Sequence, residues 1–232
     1  MQIGPQVFLP LLSVLLVTDI VSGEQTGGTI KLLLTRPVSR GKILFGKYVT
    51  AVTATSFVNA LFFAVLTGVC LLLFGSKFSM EPVAVGVKTD YVEKMLNGTV
   101  QTAPVIDVTN VSVISMQEFA IGGMLLTILA SIAMGTLGFF CSVLVRSAAV
   151  STGLSMGVVI IGIVLMNVGR GNEWMKGLIT ICFNLPLAWS GELSRQFGIS
   201  VTLFQSLLVL FTWSVVMYGI GHLLFRRRDV LA

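Results

Sequence analysis

Four uninterrupted apolar runs carry no charged residue: Tyr48 to Phe74, Phe119 to Val145, Ser147 to Gly169 and Ile199 to Phe225. A helix needs about 20 largely apolar residues to cross the hydrocarbon core, so each run is long enough to span a membrane. Three of them hold 27 residues, about 40 Å of helix, which exceeds the ~30 Å core and requires tilt or continuation beyond it. A fifth run, Gln2 to Thr18, is shorter and contains Pro5 and Pro10. It lacks both the leading basic residue and the small-residue cleavage site of a signal peptide, so it reads as a span over 2–19. The expected fold is an all-α polytopic membrane protein with about five transmembrane helices (2–19, 48–74, 119–145, 147–169 and 199–225) in one transmembrane unit covering 1–232.

The polar segments between the runs fix the orientation. Segment 20–47 holds Lys31, Arg36, Arg40, Lys42 and Lys47, the turn after the third run holds Arg146, and the C-terminus holds Arg226, Arg227 and Arg228, nine of the 15 Lys and Arg. Segment 75–118 instead carries three Lys against Glu81, Asp90, Glu93, Asp107 and Glu118. By the positive-inside rule, 20–47 and the C-terminus are cytoplasmic and 75–118 is an external loop. Segment 170–198 is too short and too polar to span. With Trp174, Trp189 and Pro186 at a break, it reads as an external re-entrant hairpin of short helices near the headgroups, or else as an ordinary structured loop.

Composition narrows the function. Charged residues make up 11% of the 232 and hydrophobic ones 55%, with a mean hydropathy of +0.95. A soluble enzyme or nucleic-acid-binding module is excluded, because soluble domains use about 25% charged residues. The net charge of +5 belongs to membrane orientation, and no nucleic acid is expected as partner. Cys70, Cys141 and Cys182 show neither a disulfide framework nor metal-ligand spacing. Within the spans there is no acid, base or nucleophile set, so no catalytic residue and no metal site is expected. His222 lies one turn before Arg226, where an imidazole reaches headgroups or water. Gly41, Gly46 and Lys47 reproduce the core of a phosphate-binding loop, but Tyr48 replaces the hydroxyl that would bind magnesium and no strand precedes the turn. Asn97-Gly98-Thr99 and Asn110-Val111-Ser112 fit glycosylation acceptors by chance alone.

Two sets of residues remain candidates. Thr53, Ser56 and Asn59 recur every three residues inside the second run and could line a polar seam toward another subunit or a substrate path; alternatively the hydroxyls bond back to their own helix. The spacing Gly153-x-x-x-Gly157 permits close helix contact in lipid, as a weak signal. The segment VSGEQTGGTIKLLLTRPVSRGKILFGK, residues 21–47, is more organised. Ile30, Leu33 and Leu34 form a short apolar face, Arg36-Pro37 ends that helix, and Ser39 can cap a new one that runs through Lys42 and Lys47 into the second run. Such an amphipathic helix either lies on anionic headgroups or docks a cytoplasmic protein, and periodicity does not choose between them.

Glu24, Gly28-Thr29, Leu32 to Leu34, Arg36-Pro37-Val38-Ser39-Arg40 and Gly46-Lys47 together resemble the signature of type-2 ABC transporter permeases. The weaker likeness extends over nearly the whole chain, including the turn at 144–149 and the ending LFRRRDVL. The resemblance implies the membrane-spanning subunit of an ATP-driven exporter in the inner membrane of a bacterium, paired with a second permease copy and with cytoplasmic ATPase subunits. Those subunits, not this chain, would hold ATP and magnesium. It also implies that Glu24, Gly28, Thr29, Leu33, Arg36, Pro37 and Arg40 form the coupling helix and its flanks. Family members have six spans, with this loop after the second; here it follows the first, so a first span is expected to be missing or supplied elsewhere. The competing reading is a non-transporting immunity or sensor module whose loop contacts only lipid or a regulator.

Overall fold

The computed structural model describes residues 5–27, 39–75, 81–96, 99–107 and 111–227. Helix α1 (Pro5–Val17) leads through a tight turn into α2 (Ser22–Thr26), and α3 spans Arg40–Phe74. Strands β1 (Pro82–Val85), β2 (Lys88–Leu96), β3 (Thr99–Asp107) and β4 (Ser112–Ser115) precede α4 (Met116–Leu144) and α5 (Ala148–Val168). A 3-10 turn at Glu173–Gly177 and the short helices α6 (Ile179–Cys182), α7 (Leu185–Ser190) and α8 (Glu192–Phe197) lead to α9 (Leu203–Arg227). Among the described residues five helical stretches are long and apolar enough to cross a membrane: Phe8–Thr26, Arg40–Leu73, Met116–Leu144, Ala148–Val168 and Leu203–Arg227. The protein is an all-α polytopic membrane protein in its spanning part.

Helix α4 is the hub. It packs against α1, α3, α5, α7 and α9, and residues from Ala130 through Val143 form an almost continuous buried stretch. Without a hydrophobic drive between helices in lipid, such contact depends on backbones coming close, which small residues allow. A Cβ at Gly138 would lie 2.7 Å from the carbonyl oxygen of Val14, and one at Gly135 would lie 3.4 Å from Val17 Cγ2. These two glycines are therefore where α1 lies down on α4. The first turn of α4 is fixed by a capping box: Glu118 N–H donates to Ser115 Oγ at 3.3 Å, and Ser115 N–H donates to the Glu118 carboxylate at 2.9 Å.

Helix α3 starts at Arg40, eight residues before the apolar run, so Lys42 and Lys47 lie on the helix itself. Ser39 occupies the N-cap position with extended backbone, but its hydroxyl makes no capping bond. The side-chain cap expected there is absent.

Segment 75–118, which reads from sequence as an external loop, contains an antiparallel ribbon in two tiers. β1 pairs with β4 from Pro82↔Ser115 to Val85↔Ser112, and β2 pairs with β3 from Lys88↔Asp107 to Leu96↔Thr99. At the joint between tiers, Gly86 adopts φ +80 and its N–H donates to Trp189 O at 2.9 Å. Gly191, at φ +84, approaches Val87 so closely that a Cβ would stand 1.9 Å from the Val87 carbonyl oxygen. These two positions need glycine, because an L side chain is strained at positive φ. They seat the ribbon on the short helices. Those helices bury Ile179, Ile181, Phe183, Leu185, Leu193 and Phe197. Pro186 sits in the first turn of α7, where a missing N–H costs no helical bond. Trp174 is exposed, whereas Trp189 stacks on Phe119 at 5.3 Å between ring centroids.

Candidate functional site: a hydroxyl-clamped junction at the basic end

The end of the bundle that carries Arg40, Lys42, Lys47, Arg146, Arg226 and Arg227 also carries the turn from Thr18 to Gly27. Backbone in a turn has donors and acceptors that no helix satisfies, and neighbours must supply the partners. Ser142 of α4 does so twice: its Oγ accepts from Val21 N–H at 3.0 Å and from Ser22 N–H at 2.9 Å. The Ser142 hydroxyl itself donates to Ser22 Oγ at 3.2 Å, and Ser22 Oγ donates to Thr18 O at 2.7 Å. From α5, Ser151 Oγ donates to the same Thr18 carbonyl at 3.0 Å, and the hydroxyls of Thr18 and Thr152 meet at 3.1 Å. Thr26 closes the far side, donating to Arg146 O at 3.1 Å and accepting from Ala148 N–H at 3.2 Å.

The fourth wall is α3. Lys47 Nζ donates to Ile20 O at 3.0 Å and forms an ion pair with Glu24, with the Lys47 side chain 10% exposed and that of Glu24 35%. Segment 18–27 is thus bonded to α3, α4 and α5 while it continues α1. Any force applied to it reaches four spans through short bonds.

Of the residues matching the coupling signature, Glu24 lies on α2 within this junction and Arg40 opens α3. Gly28, Thr29, Leu33, Arg36 and Pro37 lie outside the described residues. Lys47, absent from the candidate set, is the side chain that ties Glu24 to the spans. The signal that could have found it is its place in Gly46-Lys47, about two turns inside the long helix and opposite the Glu24 carboxylate. The same glycines and lysine do not form a phosphate loop: Gly41, Gly46 and Lys47 all lie within α3, and a Cβ at Gly41 would meet His222 Nε2 at 2.9 Å.

The candidate seam does not form one surface. Thr53 is exposed and its hydroxyl donates to Val49 O and Thr50 O, both at 3.0 Å. Ser56 is half-buried and bonds back to Val52 O at 2.8 Å. Asn59 alone points into the bundle, where it is 1% exposed. Its Nδ2 donates to Thr55 O at 2.8 Å and to Ser13 Oγ of α1 at 3.3 Å, and its Oδ1 accepts from Ser131 Oγ of α4 at 3.1 Å. Asn59 therefore joins three helices. At the ribbon end, burial pushes the Cys182 thiol up to about 12, partly offset by the neighbouring Ser206 hydroxyl, which leaves it protonated and unreactive at neutral pH. Among the described residues no group of three or more His, Cys, Asp or Glu is placed to hold a metal ion.

Comparison with known proteins places the chain. It belongs to the family described as "Protein of unknown function (DUF2705)", whose model matches residues 2–231. Similarity to proteins named as transporter permeases extends over a short stretch. The chain is 54% identical over 41 residues to "Probable ABC transporter permease protein NosY" of Stutzerimonas stutzeri. It is 50% identical over 40 residues to the protein of the same name from Pseudomonas aeruginosa. These stretches cover 18% and 17% of this chain and only 15% and 14% of the two relatives' own lengths. Over 226 residues, 97% of this chain and 78% of the relative, it is 25% identical to "Uncharacterized membrane protein YdbK" of Bacillus subtilis. The chain is a multi-pass membrane protein with partial similarity to a transporter permease.

Proposed function

We propose that this chain is the transmembrane permease subunit of an ATP-driven transporter, acting as an exporter. In this reading a separate cytoplasmic ATPase docks on segment 24–40 of the 20–47 loop, and the chain pairs with a second permease copy. The observation that carries the reading is the junction at 18–27. A loop that only rests on lipid has no need to be bonded to α3, α4 and α5 at once, whereas a loop that receives a push from an ATPase must transmit it without slack. Bistable rearrangement of packed helices then converts a small displacement at the loop into a change of the whole bundle. The short likeness to the two permease proteins supports the same reading. The ATPase subunits would bind ATP and magnesium, and this chain would perform no chemistry. The basic end, with the C-terminus, would face the cytoplasm, placing the protein in the cell membrane.

The test is recovery of tagged full-length protein from native membranes in gentle detergent, with co-purified ATPase activity as readout. Wild type is expected to bring down ATPase activity, and Glu24→Ala combined with Arg36→Ala is expected to lose it. Recovery of intact wild type without any ATPase partner would overturn the proposal and favour the immunity or sensor module.

A further inference from the structure

A groove of about 630 Å³ runs along the bundle between α3, α4 and α9, lined by Tyr48, Leu129, Ile132, Leu210, Phe211 and Tyr218 among others. Its size lies within the roughly 300–1,000 Å³ of ordinary ligand sites. Its walls offer little to a polar solute. Ser214 already donates to Leu210 O at 2.8 Å, and the Tyr48 hydroxyl is already bonded to Thr136 at 3.0 Å. A chain of methylene groups suits such walls, and in this protein's surroundings methylene chains belong to lipid.

What distinguishes this groove from any other lipid-facing depression is where it ends. Phe211, Val215, Tyr218 and Gly219 recur at helical spacing on one side of α9, and His222 and Arg226 continue the same series. His222 is half-buried, leaning on the first turn of α3 at Gly41, with the Tyr218 ring 6.2 Å away. Arg226 and Arg227 in the last turn are exposed, as is Lys42 on the neighbouring turn of α3. The apolar wall thus passes directly into a cluster of cationic and donor side chains, which matches a molecule with an acyl chain and an anionic head.

We propose that the groove between α3, α4 and α9 holds one acyl chain of an anionic phospholipid, whose phosphate is bound by His222, Arg226 and Arg227. Bound there, the lipid bridges the start of α3 and the end of α9 beside the junction at 18–27. The inference stands independently of the transporter reading, because it needs no ATPase.

The experiment reconstitutes the full chain in vesicles of phosphatidylglycerol or of phosphatidylcholine, extracts it into mild detergent, and counts retained phospholipid per chain by native mass spectrometry. Wild type is expected to retain one phosphatidylglycerol and no phosphatidylcholine. Gly219→Leu projects a branched side chain into the groove from a position where a Cβ meets nothing within 4 Å, and is expected to lose the lipid while keeping its melting temperature. Arg226→Gln with Arg227→Gln is expected to weaken retention by about fivefold per arginine, the usual worth of one basic residue at an anionic surface. Equal retention of both lipids by wild type would overturn the proposal. So would wild-type retention of phosphatidylglycerol by either variant. Should Gly219→Leu fail to fold, the arginine variant decides alone.

Discussion

Helices α3 and α4 are nearly indistinguishable by hydropathy and opposite in environment. Their most apolar stretches have mean hydropathies of 2.3 and 2.0, yet 6% of the first and 61% of the second is buried within the chain. In water, apolarity and burial go together, because the solvent drives them together. In a bilayer the solvent is itself apolar, so hydropathy reports only that a helix is in the membrane. Position in the bundle is set instead by small residues that have a backbone opposite them and by polar side chains that find partners. Gly135 and Gly138 on α4 have α1 opposite, whereas a Cβ at Gly46 or Gly68 on α3 would meet nothing within 4 Å.

The sharpest way to break this contrast is to enlarge the hub. Gly138→Leu must push the Val14 carbonyl away, because the new Cβ would stand 2.7 Å from its oxygen, and so separate α1 from α4. The expected loss is about 3 kcal/mol, at the upper end of overpacking costs, seen as a collapse of the detergent melting transition. Gly68→Leu on α3 serves as the control and should leave that transition unmoved. A Gly138→Leu protein as stable as wild type would show that the α1–α4 contact does not hold the bundle together.

Next in size is the point where α3 does attach. Asn59→Leu removes the bonds to Ser13 and Ser131 while preserving apolar bulk, and is expected to cost about 1–2 kcal/mol, given that single hydrogen bonds between membrane helices average ~0.6 and reach ~1.7 kcal/mol. A double-mutant cycle with Ser131→Ala should give a coupling energy of about 0.5–1.5 kcal/mol. The same cycle run with Thr53→Val should give zero, because Thr53 bonds only to its own helix among the contacts described. Smaller globally, and concentrated at one end, is Ser142→Ala, which strips the acceptor from Val21 and Ser22 N–H. An orphaned buried donor costs about 1–3 kcal/mol, but the turn can partly relax, so overall stability should fall by about 1 kcal/mol. Amide exchange at residues 20–23 should accelerate well beyond that at the centre of α4.

How legible this was in the sequence follows from the same contrast. Charge-free runs of at least 20 residues report four membrane helices directly, and the fifth shows as the shorter run Gln2 to Thr18. The start of α3 at Arg40 is also legible, from Pro37 and from Ser39 at the N-cap position. The seam is not. Thr53 and Asn59 are six residues apart, which at 3.6 residues per turn is about 120° round the helix, so a three-residue repeat cannot keep one face. The ribbon is harder to see: Asn97-Gly98, flanked by Tyr91-Val92 and Val100, is a strong hairpin signal, but acids and lysines in the same stretch obscure the alternation. From the sequence Lys47 reads as membrane-orienting charge, a role its neighbours share, and only its distance to Ile20 and its pairing with Glu24 separate it from them.

The smallest effect bears on what covers the exposed helices. Gly153 and Gly157 have the spacing of a close helix contact, yet a Cβ at either meets nothing within 4 Å inside the chain. Gly157→Leu is therefore expected to change the stability of the isolated chain by no more than about 0.5 kcal/mol, like other substitutions away from packed contacts. Its effect on self-association in bilayers, measured by energy transfer between labelled copies, is a separate quantity. If association falls while stability holds, the two glycines do between chains what Gly135 and Gly138 do within one, and hydropathy failed to rank α3 and α5 because their partners are not in this chain. If neither quantity moves, the Gly153–Gly157 face of α5 is turned to lipid, and those two glycines have no role in packing.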